Sequence, residues 1–223
     1  MDTAWGFALA EALPLAIAIA ASPFAIVPAI LLLFTVRPRA TGGAFLAGWL
    51  LGLTVITAAA TMLASVLDPF AEAPEWASWA RIALGVLLIG LAVRKVLRRK
   101  VVTTPPAWIA RLKDATPSRA FVLAVVMAVA NPKILLLAGA AGVIIGAAEL
   151  TRSETAASVA AVVLVASLTV ALPVLLYLVL GDRVLGPLGR ARDWLNRHNA
   201  VVMAVVLLVL GVALLLEGVS ALR

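Results

Sequence analysis

Residues 120–148 read AFVLAVVMAVANPKILLLAGAAGVIIGAA, an apolar run interrupted by the triplet Asn131-Pro132-Lys133. A helix needs about 20 apolar residues to cross a bilayer, so this run is long enough to span one with a break inside it. Asn is a good N-cap and Pro is favoured at the first helical position, so the triplet predicts a new half-helix that begins at Pro132. At about 1.5 Å per residue from Ala120, Lys133 would lie about 20 Å into the bilayer.

The whole chain has the composition of a membrane protein. Of its 223 residues, 64% are hydrophobic and 13% are charged, and the mean hydropathy is +1.13. Soluble domains are about 45–50% apolar and about 25% charged, so a soluble enzyme and a nucleic-acid module are excluded. The chain has no cysteine, which excludes disulfides and thiolate chemistry. With one histidine and no intramembrane carboxylate cluster, we expect no metal, no cofactor and no enzymatic activity.

The other apolar runs predict an all-α integral membrane protein with six transmembrane helices, and none of the runs alternates as a strand does. The first run is also too long for a simple crossing, and its Ala21-Ser22-Pro23 resembles Ala130-Asn131-Pro132 of the fourth. We therefore predict that helices 1 and 4 are both broken near the midplane, although packing kinks at the prolines are the alternative. The six runs are about 6–36, 43–67, 80–97, 120–148, 156–180 and 200–220.

These similarities predict a single membrane domain over residues 1–223 that contains two three-helix repeats. Repeat 1 covers about 6–97, a basic cytoplasmic loop covers 98–119, and repeat 2 covers about 120–222. Since three crossings is an odd number, the second repeat would be inverted in the membrane, which is a transporter architecture. A six-helix bundle with coincidental proline positions is the alternative. Close helix packing is also predicted, at Gly48, Gly52, Ala138, Gly142 and Gly146.

Basic residues set the predicted orientation. Nearly all of them follow the first, third and fifth runs, and by the positive-inside rule these loops face the cytoplasm. The N-terminus and the C-terminus would then both lie outside a bacterial plasma (inner) membrane. The residues that carry this bias are Arg37, Arg39, Arg94, Lys95, Arg98, Arg99, Lys100, Arg111, Lys113, Arg119, Arg183, Arg190, Arg192 and Arg197.

A charge near the midplane is costly unless it is paired or hydrated, so Lys133 is the strongest candidate for function. Its ammonium and the amides of a half-helix capped by Asn131 would attract an anion, and Ser22 with Pro23 offers a second such start. Capture of Lys133 by carbonyls of a neighbouring helix is the alternative. The predicted substrate-binding residues are Lys133, Asn131, Pro132, Ser22 and Pro23, and Glu11 and Tyr177 are candidates for a path or for coupling.

Six spans, a broken first helix and Asn131-Pro132-Lys133 resemble the lysine-exporter (LysE) superfamily. Leu13-Pro14-Leu15, Ala21-Ser22-Pro23, Pro38 with Arg39, and the run Phe45 to Gly52 are similar to its glycolipid-addressing branch, which includes the sulfolipid-addressing proteins. The Phe-Leu-x-Gly-Trp-x-x-Gly pattern of that run is the most specific part. The amino-acid exporters usually carry Gly-Pro where this chain has Ser22-Pro23, and this difference favours the lipid-addressing branch.

The resemblance implies export or flipping of an envelope glycolipid with a polar, anionic head group across the plasma membrane. An exporter of a small amino acid or related metabolite is the alternative on the same scaffold. A non-transporting assembly partner for lipid-synthesis enzymes is an alternative of another class. The expected partners are membrane lipids and an anionic lipid or small-molecule cargo, together with lipid-synthesis enzymes or a second copy in a homodimer, and no nucleic acid.

Overall fold

The computed structural model describes residues 3–67 and 111–220, together with 82–83, 85–87, 89–90, 92–94 and 97 between them. The described chain is helical throughout. Its helices are α1 (Thr3–Ala20), α2 (Pro23–Leu32), α3 (Pro38–Leu67), α4 (Pro117–Val129), α5 (Pro132–Ala147), α6 (Arg152–Leu180) and α7 (Leu185–Ser220), with 3-10 turns at Arg111–Asp114 and Gly181–Val184.

Both predicted helix breaks are present. The axes of α1 and α2 differ by 54°, and those of α4 and α5 by 69°. In each case an extended residue, Ser22 or Asn131, precedes a proline at the start of the second helix. Proline lacks an N–H and disfavours the helical region for the residue before it, so both positions favour a break.

Helices α4 and α5 pack one after the other along α3, from its start towards its end. Gly52 of α3 lies so close to α4 that a Cβ there would come within 2.7 Å of the Ala128 Cβ. Farther along α3, the backbone oxygen of Thr57 lies against Gly142 of α5. Because α4 meets the first half of α3 and α5 meets the second half, the bent pair crosses beside α3 rather than turning back. The predicted close packing is confirmed at Gly48, Gly52, Gly142 and Gly146.

The α1–α2 pair passes along α6 in the same manner. Trp5 of α1 donates a hydrogen bond to the Ser158 hydroxyl (3.0 Å), near the start of α6. The Ala20 carbonyl, at the end of α1, accepts one from Thr169 farther along. Leu33, just beyond α2, packs against Tyr177 near the end of α6. The bent pair therefore follows the whole length of α6.

Basic segments that are distant in sequence meet at one end of the molecule, which we call the basic end. The guanidinium of Arg192 lies 5.8 Å from the centre of the Phe34 ring, so the segment after α2 contacts the first part of α7. Leu33 also packs with Val184. The loops that follow the first and fifth apolar runs thus share one end, as the charge pattern predicts. The start of α1 and the end of α5 lie at the opposite end.

Within the described chain, two continuous helical stretches are long and apolar enough to span a membrane, Pro38–Val66 and Arg152–Leu195. Counting each bent pair as one span raises the number to four. The third predicted run, 80–97, lies mostly outside the described residues, and the sixth, 200–220, is the C-terminal part of α7, which begins earlier than predicted. Gly85 of the third run and Gly211 of the sixth are in close contact, since a Cβ on Gly85 would lie 2.8 Å from the Gly211 oxygen.

A cationic junction at the two helix breaks

Lys133 connects the two breaks. Its backbone N–H donates to Asn131 Oδ1 (3.0 Å), so Asn131 caps α5 as predicted. Its side chain extends away from α5, and Nζ donates to the Ala18 carbonyl oxygen (3.3 Å) in the last turn of α1. We call the group formed by Ala18, Ala20, Ser22, Asn131 and Lys133 the break junction. The contact corresponds to the carbonyl capture that the sequence leaves open for Lys133.

Each of the last four carbonyl groups of α1 accepts a hydrogen bond. A helix end leaves four carbonyls without intrahelical partners. The Ile17 carbonyl accepts from the Ala21 amide (2.8 Å) and the Ile19 carbonyl from the Ser22 amide (3.0 Å). The remaining two accept from side chains on other helices, Ala18 from Lys133 and Ala20 from Thr169 (2.6 Å). Side chains of α5 and α6 therefore stabilise the break in the first bent pair.

The break junction contains a positively charged side chain. Two helices end there and two begin, and a helix end carries about half an elementary charge, negative at its C-terminus and positive at its N-terminus. These partial charges cancel to first order. The ammonium of Lys133, which donates to the Ala18 carbonyl, adds a positive charge to the junction.

The break junction is open at its side. Lys133 is partly buried, whereas Ala130 and Pro132, which precede it in the chain, are exposed. Leu136, on the first turn of α5, is 71% exposed. This exposed apolar flank would face lipid, because the helices around it are apolar enough to span a bilayer. Lys133 therefore lies next to exposed apolar residues.

The predicted role of Ser22 as a capping side chain is wrong. Ser22 occupies the N-cap position of α2 with an extended backbone and is 3% exposed, but its hydroxyl makes no capping hydrogen bond. Its backbone N–H is instead used by the Ile19 carbonyl. Pro23 is the first residue of α2 and Pro132 the first of α5, as predicted.

The structure does not bring Glu11 and Tyr177 into the break junction. Glu11 lies seven residues before Ala18, which is about 10 Å along α1. Tyr177 lies eight residues beyond Thr169, about 12 Å along α6, and donates a hydrogen bond to Asp182 (2.8 Å) at the basic end. Each residue lies about two helical turns from the junction, in opposite directions.

Three buried side-chain atoms of the described chain have no hydrogen-bond partner, on Trp49 and Thr57 of α3 and on Ser167 of α6. The indole nitrogen of Trp49 and the Ser167 hydroxyl are buried and have no hydrogen-bond partner within the described chain. Gly42 of α3 contacts Val174 of α6, and the two helices are antiparallel. Trp49 follows Gly42 by seven residues, and Ser167 precedes Val174 by seven. Since the helices are antiparallel, Trp49 and Ser167 lie at about the same level along them. The spacing of these residues in the sequence does not indicate that they lie at the same level.

The fold and the junction define a polytopic α-helical membrane protein with two broken helices and a cationic centre between them. The family model for Sap, the sulfolipid-1-addressing protein, matches residues 12–220, and the chain belongs to this family. The match includes both breaks and the run from Phe45 to Gly52, where Phe45 and Trp49 are buried in the core. No curated protein and no solved structure matches the chain.

Proposed function

We propose that this protein transports an envelope lipid with an anionic head group, most simply a sulfated glycolipid, across the plasma membrane. The observation that carries the proposal is the laterally open, cationic break junction around Lys133. The head group would bind Lys133 and the first amides of α5 while the acyl chains stay in the bilayer. The family name, which refers to sulfolipid addressing, supports a cargo of this class.

The open flank favours lipid over a small solute. A small hydrophilic metabolite needs an enclosed aqueous cavity, because it has no favourable position in the hydrocarbon core. A lipid needs a side entrance and a polar centre, and the break junction offers both. An amino-acid exporter is therefore the second candidate, and an assembly partner for lipid-synthesis enzymes the third.

Helix contacts support two inverted repeats of three spans each. The first bent pair follows α6, which is the fifth apolar run, and the second bent pair follows α3, which is the second run. If the two repeats exchange places, the first and fifth runs take the places of the fourth and second, so one of these contacts takes the place of the other. The same exchange swaps the third run with the sixth, so the contact between Gly85 and Gly211 is unchanged by it. We propose on this basis that the chain forms an inverted-repeat transporter related to the LysE superfamily, with the cargo site where the repeats meet.

A comparison of lipids in the inner and outer parts of the cell envelope, with and without the protein, tests the proposed function. We expect one class of anionic glycolipid to accumulate in the inner fraction of the deletion strain and to return to normal when the gene is restored. Unchanged lipids together with an accumulated intracellular amino acid would favour the second candidate. A glycolipid that is never synthesised would favour the third.

The proposed orientation places the basic end in the cytoplasm and both termini outside. The chain has no native cysteine, so single cysteines report accessibility cleanly. We expect a membrane-impermeant maleimide added to intact cells to label Ser153→Cys and not Ser118→Cys, which are exposed at opposite ends. Labelling of Ser118→Cys alone would reverse the orientation.

A further inference from the structure

A cavity lies along the contact between α1 and α5, away from the basic end. Its volume is about 290 Å³. Phe7, Ala8 and Glu11 of α1 line one side, and Ile144 and Ala147 of α5 line the other. Among the described residues that line it, Glu11 is the one titratable side chain, and it is exposed.

This cavity and the break junction share one helix–helix seam, which we call the α1–α5 seam. The two helices are antiparallel, with Ala18 beside Lys133 at one end and Ala8 and Ala147 in the cavity wall at the other. Glu11 lies about 10 Å along α1 from Ala18. A cargo leaving Lys133 along the seam, away from the basic end, would reach Glu11 next.

The lining defines the chemistry of a ligand for this cavity. Carboxylate oxygens accept hydrogen bonds, so a ligand that donates hydrogen bonds suits this wall. A quaternary ammonium is best held by a cage of aromatic rings, whereas Phe7 is the only ring among the described residues of this wall. Sugar hydroxyls can donate to Glu11 while the C–H face of the ring packs on Phe7 and the alanines.

We propose that the cavity on the α1–α5 seam is a binding subsite for a hydroxyl-bearing sugar head group, with Glu11 as its hydrogen-bond acceptor. Its role as the outward subsite of the cargo path rests on the proposed transport function. In that role the two subsites together select an acidic glycolipid, in which hydroxyls lie about 10 Å from an anionic group. The binding chemistry itself does not depend on transport.

Photolabelling of the purified full chain in phospholipid nanodiscs tests the subsite. The probe is an alkyl maltoside with a diazirine in its tail, and mass spectrometry locates the label on α1 and α5. We expect dodecyl maltoside to compete with the label and permethylated dodecyl maltoside, which has no hydroxyl, to compete at least about tenfold more weakly, because it cannot donate a hydrogen bond to Glu11. Equal competition by the two amphiphiles would overturn the proposal.

Variants of Glu11 make the test specific. Glu11→Leu should weaken competition by the maltoside about 10- to 100-fold, whereas Glu11→Gln, which keeps one acceptor oxygen, should weaken it several-fold less. Glu149→Gln alters an exposed carboxylate near the same end of α5 and should have no effect. Melting temperatures in the nanodisc show whether each variant is folded, and Glu11→Gln carries the test if Glu11→Leu is not.

Separate experiments test the subsite and the proposed function. If Glu11→Leu binds maltoside as well as the native chain does, the subsite is wrong, whatever export assays show. If Glu11 governs maltoside binding while loss of the protein leaves the envelope lipids unchanged, the subsite stands and the proposed function fails.

Discussion

Substitution of Lys133 by methionine removes the charge of the break junction and keeps most of the side-chain length. An anion held about 4 Å from an ammonium gains about 4 kcal/mol at an effective dielectric constant of about 20. Since about 1.4 kcal/mol corresponds to a factor of ten, the loss would weaken cargo binding about a thousandfold. We therefore expect Lys133→Met to abolish export of the anionic lipid.

The same substitution should leave the protein folded. It removes the hydrogen bond from Nζ to the Ala18 carbonyl, and a hydrogen bond to a charged group contributes about 1.5–3 kcal/mol. It also removes a charge from a membrane helix, where Lys costs about 2.5–3.5 kcal/mol on the insertion scale. These contributions nearly cancel, so the melting temperature should change little.

The assay is export of the anionic envelope lipid at matched membrane levels of each variant, with the melting temperature measured in parallel. Arg119→Met, which removes an exposed charge from the first turn of α4, is the matched control and should export normally. Lys133→Arg should recover only part of the activity, because its fork is larger and cannot lose its proton. Normal export by Lys133→Met would refute the anion site and leave Lys133 as a packing residue held by the Ala18 carbonyl.

Two further predictions concern stability. Gly142→Ala should destabilise the protein by about 1–3 kcal/mol, because a Cβ would collide with the Thr57 backbone; Gly139→Ala, which has open space, should be neutral or stabilising, and equal melting temperatures would contradict the packing. Asn131→Ala should cost about 0.5–2 kcal/mol through the lost cap, whereas Ser22→Ala should cost less, since its hydroxyl caps nothing. Thermal unfolding in detergent measures both pairs, and an equal loss for the two cap variants would contradict the difference between the breaks.

The features of the fold that the sequence predicted depend on the properties of single residues. The apolar runs, the two breaks and the close approach of the glycines each follow from a residue's own backbone preference, its size or its solubility in lipid. The convergence of the basic loops at one end follows from the charge pattern along the chain. The six-span count and the inverted repeat stay predictions, because the third run lies mostly outside the described residues.

The candidate site was predictable only in part. Asn131 caps α5 because its side chain reaches an amide two residues away, which is a local contact. Ser22 occupies the same position in the other break without capping, and the residue type alone does not distinguish the two cases. Sequence therefore identified Lys133 as unusual without identifying what it contacts.

The sequence by itself determined that this chain enters a membrane, that two of its helices break at proline, and that a lysine follows one of the breaks. These outcomes depend on hydropathy, on the missing amide of proline and on charge, all of which are properties of neighbouring residues. Only the tertiary structure decided that Lys133 and Thr169 hold the last carbonyls of α1, and that Glu11 lines a cavity on the seam that contains Lys133. Those contacts join residues more than a hundred positions apart, and helix packing, which no local pattern encodes, brings them together.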